Sequence, residues 1–104
     1  MAHRPITPEE RALIVHLLGF LKEGHRYQIP EEVENLGDNA IQLSPRGEHT
    51  TDLVEADYKD TDGRDVFITL SINQYDELFD LDVWKTDFSS LLSYPEPDKV
   101  KLAT

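Results

Sequence analysis

Leu53 to Lys85 reads LVEADYKDTDGRDVFITLSINQYDELFDLDVWK, and the spacing of its oily residues decides the fold. Val54, Ala56 and Tyr58 alternate with Glu55 and Asp57. Val66, Ile68, Leu70 and Ile72 alternate with Phe67, Thr69 and Ser71, and Phe79, Leu81 and Val83 alternate with Asp80, Asp82 and Trp84. A period of two puts each set on one side of a pleated sheet. The stretch therefore predicts three antiparallel strands joined by two tight turns, apolar on one face and acidic on the other. Keeping Val54, Ala56 and Tyr58 opposite Leu70, Ile68 and Val66 makes Asp60 face Arg64. That leaves Thr61-Asp62-Gly63 as a three-residue loop with Gly63 at its left-handed position. The second turn, drawn with Ile72 facing Phe79, spans Asn73 to Leu78. The resulting outward rows are Glu55, Thr69 and Asp82, then Asp57, Phe67 and Trp84, with Asp80 beside Ser71 and Lys85 flanking the tryptophan.

Upstream, Thr7, Pro8 and Glu10 form a helix start: a capping box, with proline at the first helical position. Leu13, Ile14, Leu17, Leu18 and Leu21 make an apolar stripe. His16 falls on the polar side, and Gly24 serves as a left-handed stop. The expected helix has about 16 residues and is about 24 Å long. Pro30 to Gly37 reads as a short second helix, Ala40 to Leu43 as a fourth strand at the sheet edge, and Ser44 to Gly47 as a turn. Asp87 to Leu92 reads as a turn of helix or a closing loop. The expected fold class is α+β: a long N-terminal helix packed on a three- to four-stranded antiparallel meander. Residues 1–94 form a single domain and residues 95–104 a loose tail.

The chain has 104 residues, no cysteine, and a net charge of −11 from 21 acidic and 10 basic residues. Disulfide and thiolate chemistry are thereby excluded. A strongly acidic chain lacks the clustered Lys and Arg that a nucleic-acid backbone or an anionic membrane requires. No apolar run approaches the ~18 residues of a membrane span, and the first ten residues lack a signal-peptide core. A cytoplasmic protein is the expectation.

Motifs for chemistry are missing. Asp60-Thr61-Asp62-Gly63-Arg64-Asp65 has the acids of a calcium loop but not its spacing or its terminal glutamate, and an acidic hairpin turn explains it. His3, His16, His25 and His49 show no metal-ligand spacing. No serine sits in a nucleophile elbow, and the five glycines build no phosphate loop. No catalytic residue, metal or cofactor is assigned, and the chain does not read as an enzyme.

The Pro5-Ile6-Thr7-Pro8-Glu9-Glu10 helix start, the strand–turn–strand around Asp62-Gly63 and the string Glu77-Leu78-Phe79-Asp80-Leu81-Asp82-Val83-Trp84-Lys85-Thr86-Asp87-Phe88-Ser89 together resemble a small bacterial family. That family is a domain of unknown function. The resemblance covers the first helix and residues 52–89; it implies a compact domain and supplies no functional residues.

Residues 52–104 hold 13 acids and 5 bases, so this half carries −8 of the −11. Glu55, Asp57, Phe67, Asp80, Asp82 and Trp84 are the candidate partner-binding residues, because aromatics on a charged face anchor interfaces. The reading that follows is an acidic module that binds a basic protein, such as an immunity or inhibitor protein that neutralises a basic effector. A structural or regulatory homodimer is the alternative. A small metal-dependent enzyme has the least support.

Overall fold

The computed structural model describes residues 3–37, 39–87, 91–92 and 94–102. Strand β1 (His3–Pro5) is followed by helix α1 (Pro8–Leu18), β2 (Glu32–Gly37), β3 (Ala40–Gln42), β4 (Thr51–Lys59), β5 (Asp65–Ile72), β6 (Leu78–Lys85) and β7 (Lys101–Leu102). Short 3-10 turns cover Gly24–Arg26 and Pro97–Lys99. The strands form a seven-stranded sheet ordered β1-β2-β3-β6-β5-β4-β7. Every neighbouring pair in it is antiparallel.

This overturns the expected α+β class. Among the described residues the molecule is mostly β, with one short α-helix on a wide sheet rather than a long helix on a three- or four-stranded meander. The capping box is present: Glu10 N–H donates to Thr7 Oγ1 at 3.1 Å, and Thr7 N–H donates to Glu10 Oε1 at 2.9 Å. The helix, however, ends at Leu18 after 11 residues. Phe20 N–H then bonds Leu17 O and Leu21 N–H bonds Leu18 O, so the chain tightens into 3-10 geometry and folds back. Gly24 is essential there for space rather than for a left-handed turn. A Cβ at this position would lie 2.0 Å from the Leu18 carbonyl oxygen.

The segment expected as a second helix is strand β2. It carries one buried apolar residue, Val33, between exposed or half-exposed neighbours, which suits a strand paired on both sides and gives a helix no stripe to bury. The strand expected at the sheet edge, β3, lies inside the sheet because β2 and β1 continue beyond it. Nor is the C-terminal segment loose. Val100 is 5 % exposed in the core, and Lys101 and Leu102 pair with Asp57 and Ala56. Residues 88–90 and 93 lie outside the described residues, and with them half of the closing segment expected over 87–92.

The central three strands follow their pleat parity. Val54, Ala56, Tyr58, Val66, Ile68, Leu70, Leu81 and Val83 are each no more than 4 % exposed. They pack with Leu13, Ile14, Leu17 and Leu18 of α1 into one core. The first hairpin closes as drawn: Asp60 N–H bonds Arg64 O, Gly63 N–H bonds Asp60 O, and Gly63 has φ +82°. The second uses the same geometry one residue tighter than expected. Asn73 N–H bonds Glu77 O, Asp76 N–H bonds Asn73 O, and Asp76 takes the left-handed position with φ +61°. Ile72 therefore faces Leu78, and Phe79 becomes the extra residue of a bulge before Ser71 meets Asp80.

Candidate functional site

The outward side of β4, β5 and β6 gathers the six candidate residues by register alone. Asp57 pairs with Phe67 and Phe67 with Trp84. Glu55 pairs with Thr69 and Thr69 with Asp82. Strand β3 extends the face, setting Ala40 beside Asp82 and Gln42 beside Asp80. The Phe67 and Trp84 ring centroids are 5.0 Å apart with their planes tilted by 34°. Trp84 is 38 % exposed while Phe67 is partly covered. Such an offset pair stiffens the face.

The acids on this face fall into two groups. Glu55 and Asp82 are exposed. The Asp82 carboxyl nevertheless leans on the sheet, and that partial burial, together with Asp80, raises its pKa above the ordinary aspartate value. Asp80 is engaged locally. Ser71 Oγ donates to its Oδ1, and His49 Nδ1 lies 3.7 Å from its Oδ2, while His49 Nε2 is 2.8 Å from Asp52. His49 thus sits between two carboxylates. Asp57 faces Lys101 across β7, a base that the expectation of a loose tail placed elsewhere.

Lys85 is not on this face. Alternation along β6 turns Trp84 outward and Lys85 inward, where it pairs with Val66 and is 2 % exposed. Its ammonium lies 2.7 Å from Asp62 and 3.1 Å from Asp60. Burial pushes the Asp60 carboxyl up, but the Leu92 and Thr61 N–H groups and Lys85 outweigh it and bring it down to about 2. Lys85 is raised by its bond to Asp62, against the opposing effect of burial. The acidic turn around Asp62 is thus a partner for an internal cation. The signal for this was in the sequence, since Lys85 lies two residues from Val83.

At the helix start, Arg4 makes a fork to Glu10 at 2.9 and 2.7 Å. Burial raises the Glu10 carboxyl, and Arg4 and the Thr7 N–H outweigh it and hold it below its usual value. His16, expected in solvent, donates through Nε2 to Val100 O at 3.0 Å and meets Phe20 edge-on. It is a tie between helix and C-terminus.

Among the described residues no cluster of three or more His, Asp and Glu side chains is arranged to hold a metal ion. No helix among them is long and apolar enough to cross a membrane. No curated protein and no solved structure matches the chain. Residues 3–95 match the model of a family described as "Domain of unknown function (DUF6984)", and the chain belongs to that family.

Proposed function

We propose that this chain is an acidic protein-binding module whose outward sheet face docks a basic protein surface, acting by occupancy rather than by catalysis. The observation that carries this reading is the Phe67–Trp84 pair, exposed at Trp84 and bordered in register by Glu55, Asp57 and Asp82. Rigid aromatics give an interface its anchor, and surrounding charge sets partner choice and the rate of encounter. Covering a cationic effector, in the manner of an immunity or inhibitor protein, is the biological use such a face suits. A net charge of −11 supports the same reading, because it favours fast, salt-sensitive capture of basic proteins.

The homodimer alternative draws less support. Two copies meeting through this face would oppose Glu55 and Asp82 with their own images. The sheet's outer strands, of three and two residues with Pro5 in one of them, offer little backbone for pairing.

The test is affinity capture from the native cell with the wild-type chain and the double variant Glu55→Lys/Asp82→Lys. The wild type should retain a basic protein in stoichiometric amount, released by salt, and the folded variant should lose it. Identical retention by both would overturn the reading.

A further inference from the structure

The chain seats two of its own arginines in one way. The Arg26 guanidinium lies 4.5 Å from the Tyr27 ring centroid while Nη1 is 2.5 Å from Asp76. Arg46 lies 4.4 Å from the Tyr75 centroid while Nε and Nη2 donate to Glu77 at 3.1 and 2.9 Å. In each case the cation lies over an aromatic ring while a carboxylate accepts from it, through two N–H groups at Arg46 and through one at Arg26, whose other terminal nitrogen donates to Tyr27 Oη. An ammonium does both less well, because it is a compact, strongly hydrated point charge with no plane to stack and no fork to match a carboxylate.

The outward sheet face holds the same two ingredients in a rigid setting. Trp84 stands beside Phe67 across the strand. Asp82 lies two residues along β6 on the same side, about 7 Å away by strand rise. Glu55 completes the row with Asp82 across Thr69. An arginine laid over the indole brings its edge within reach of Asp82. Glu55 lies two strand spacings from Asp82, about 10 Å, so a basic side chain farther along an extended partner that crosses the strands is needed to reach it. Indole is the strongest of the aromatic cation acceptors, and the paired strands fix the backbone on which these groups stand.

We infer that the partner segment received by this face is arginine-rich rather than lysine-rich, with one arginine stacked on Trp84 and bonded to Asp82. This rests on the protein-binding reading above, and it adds selectivity between two cations that charge alone treats alike.

Trp84 is the only tryptophan in the chain, so its fluorescence reports on this place. Titration with an alternating arginine–serine peptide and a lysine–serine peptide of the same length, at one ionic strength, separates the outcomes. The arginine peptide should perturb the Trp84 emission and bind about tenfold more tightly than its lysine counterpart. By calorimetry, Trp84→Leu, which keeps an apolar side chain but removes the aromatic face, should bring the arginine peptide down to the lysine level. Asp82→Asn should weaken the arginine peptide more than the lysine one. Circular dichroism of both variants checks that they fold. Equal binding of the two peptides, unmoved by Trp84→Leu, would overturn the arginine assignment and leave the electrostatic reading standing. Binding of neither peptide would sink both.

Discussion

Lys85 is the residue on which the end of the core turns. Its ammonium is held by Asp62 and Asp60 at 2.7 and 3.1 Å, and Asp60 in turn accepts N–H bonds from Thr61 and Leu92 at 2.8 and 2.9 Å. The cluster thus joins the end of β6, the first hairpin turn and the C-terminal segment. A buried charge stripped of its counter-charge is destabilising by several kcal/mol. Asp60→Ala should therefore lower unfolding free energy by about 3 kcal/mol, read from urea denaturation. The pH dependence has a definite sign. Asp60 titrates near 3.8 when unfolded and near 2 when folded. Its contribution is therefore complete above about pH 4 and is lost as pH falls through 2. Thermal stability should drop across that window in the wild type, and Asp60→Asn should flatten that drop. Pleat parity turns Lys85 inward, since Val83 two residues before it is core, although the sequence-based expectation sets Lys85 beside Trp84 on the outward face. What parity does not carry is the anion waiting there, because Asp60 reaches Lys85 through a turn closed by backbone hydrogen bonds.

At the scale of elements, the two central hairpins show what local chemistry can announce. Both close with the same five-residue turn, and the first declares itself through Gly63 at the left-handed position. The second places Asp76 there, and an aspartate gives no such signal, so the turn read one residue too long and the Phe79 bulge was hidden. Asp76 keeps its side chain at that position to bond Arg26 and Tyr27 at 2.5 and 3.0 Å, tying the loop after α1 to the turn. The helix was legible at its start, where the capping box is a local pattern, and not at its end, where termination depends on the chain folding back onto Leu18. Strands β1, β2 and β7 were illegible for a related reason. β1 and β7 have only three and two residues and β2 buries only Val33, so each is made a strand by its neighbour in the sheet rather than by its own alternation. The reversal after α1 gives a direct check. Gly24→Ala forces a Cβ into the Leu18 carbonyl and should destabilise by about 1–3 kcal/mol, as overpacking does. The shift of the melting transition measures it, and an unchanged transition would mean that the close approach at Leu18 relaxes freely.

Across the whole molecule, one core binds the sheet, the helix and the C-terminal Val100, so opening any part of it disturbs the rest. The candidate surface was legible as six residues on one side of three strands. What the sequence could not place was the company they keep: Lys101 beside Asp57, and His49 between Asp52 and Asp80. Those bases arrive from a distant terminus and a loop, through contacts that no local pattern encodes. They leave Glu55, Asp82 and Trp84 as the exposed part of the face, which is why the Glu55→Lys/Asp82→Lys exchange is the one that should abolish partner capture.

The seclusion of Lys85 has a practical corollary. Lys22, Lys59, Lys99 and Lys101 are open to solvent, so an amine-reactive acylating reagent should modify them within the native state, while Lys85 reacts only when the structure around Asp60 and Asp62 opens. Mass spectrometry of the tagged peptides would then yield, from the labelling of Lys85, the opening equilibrium of this end of the sheet. Rapid acylation of Lys85 in unperturbed protein would show that its amine is not shut away.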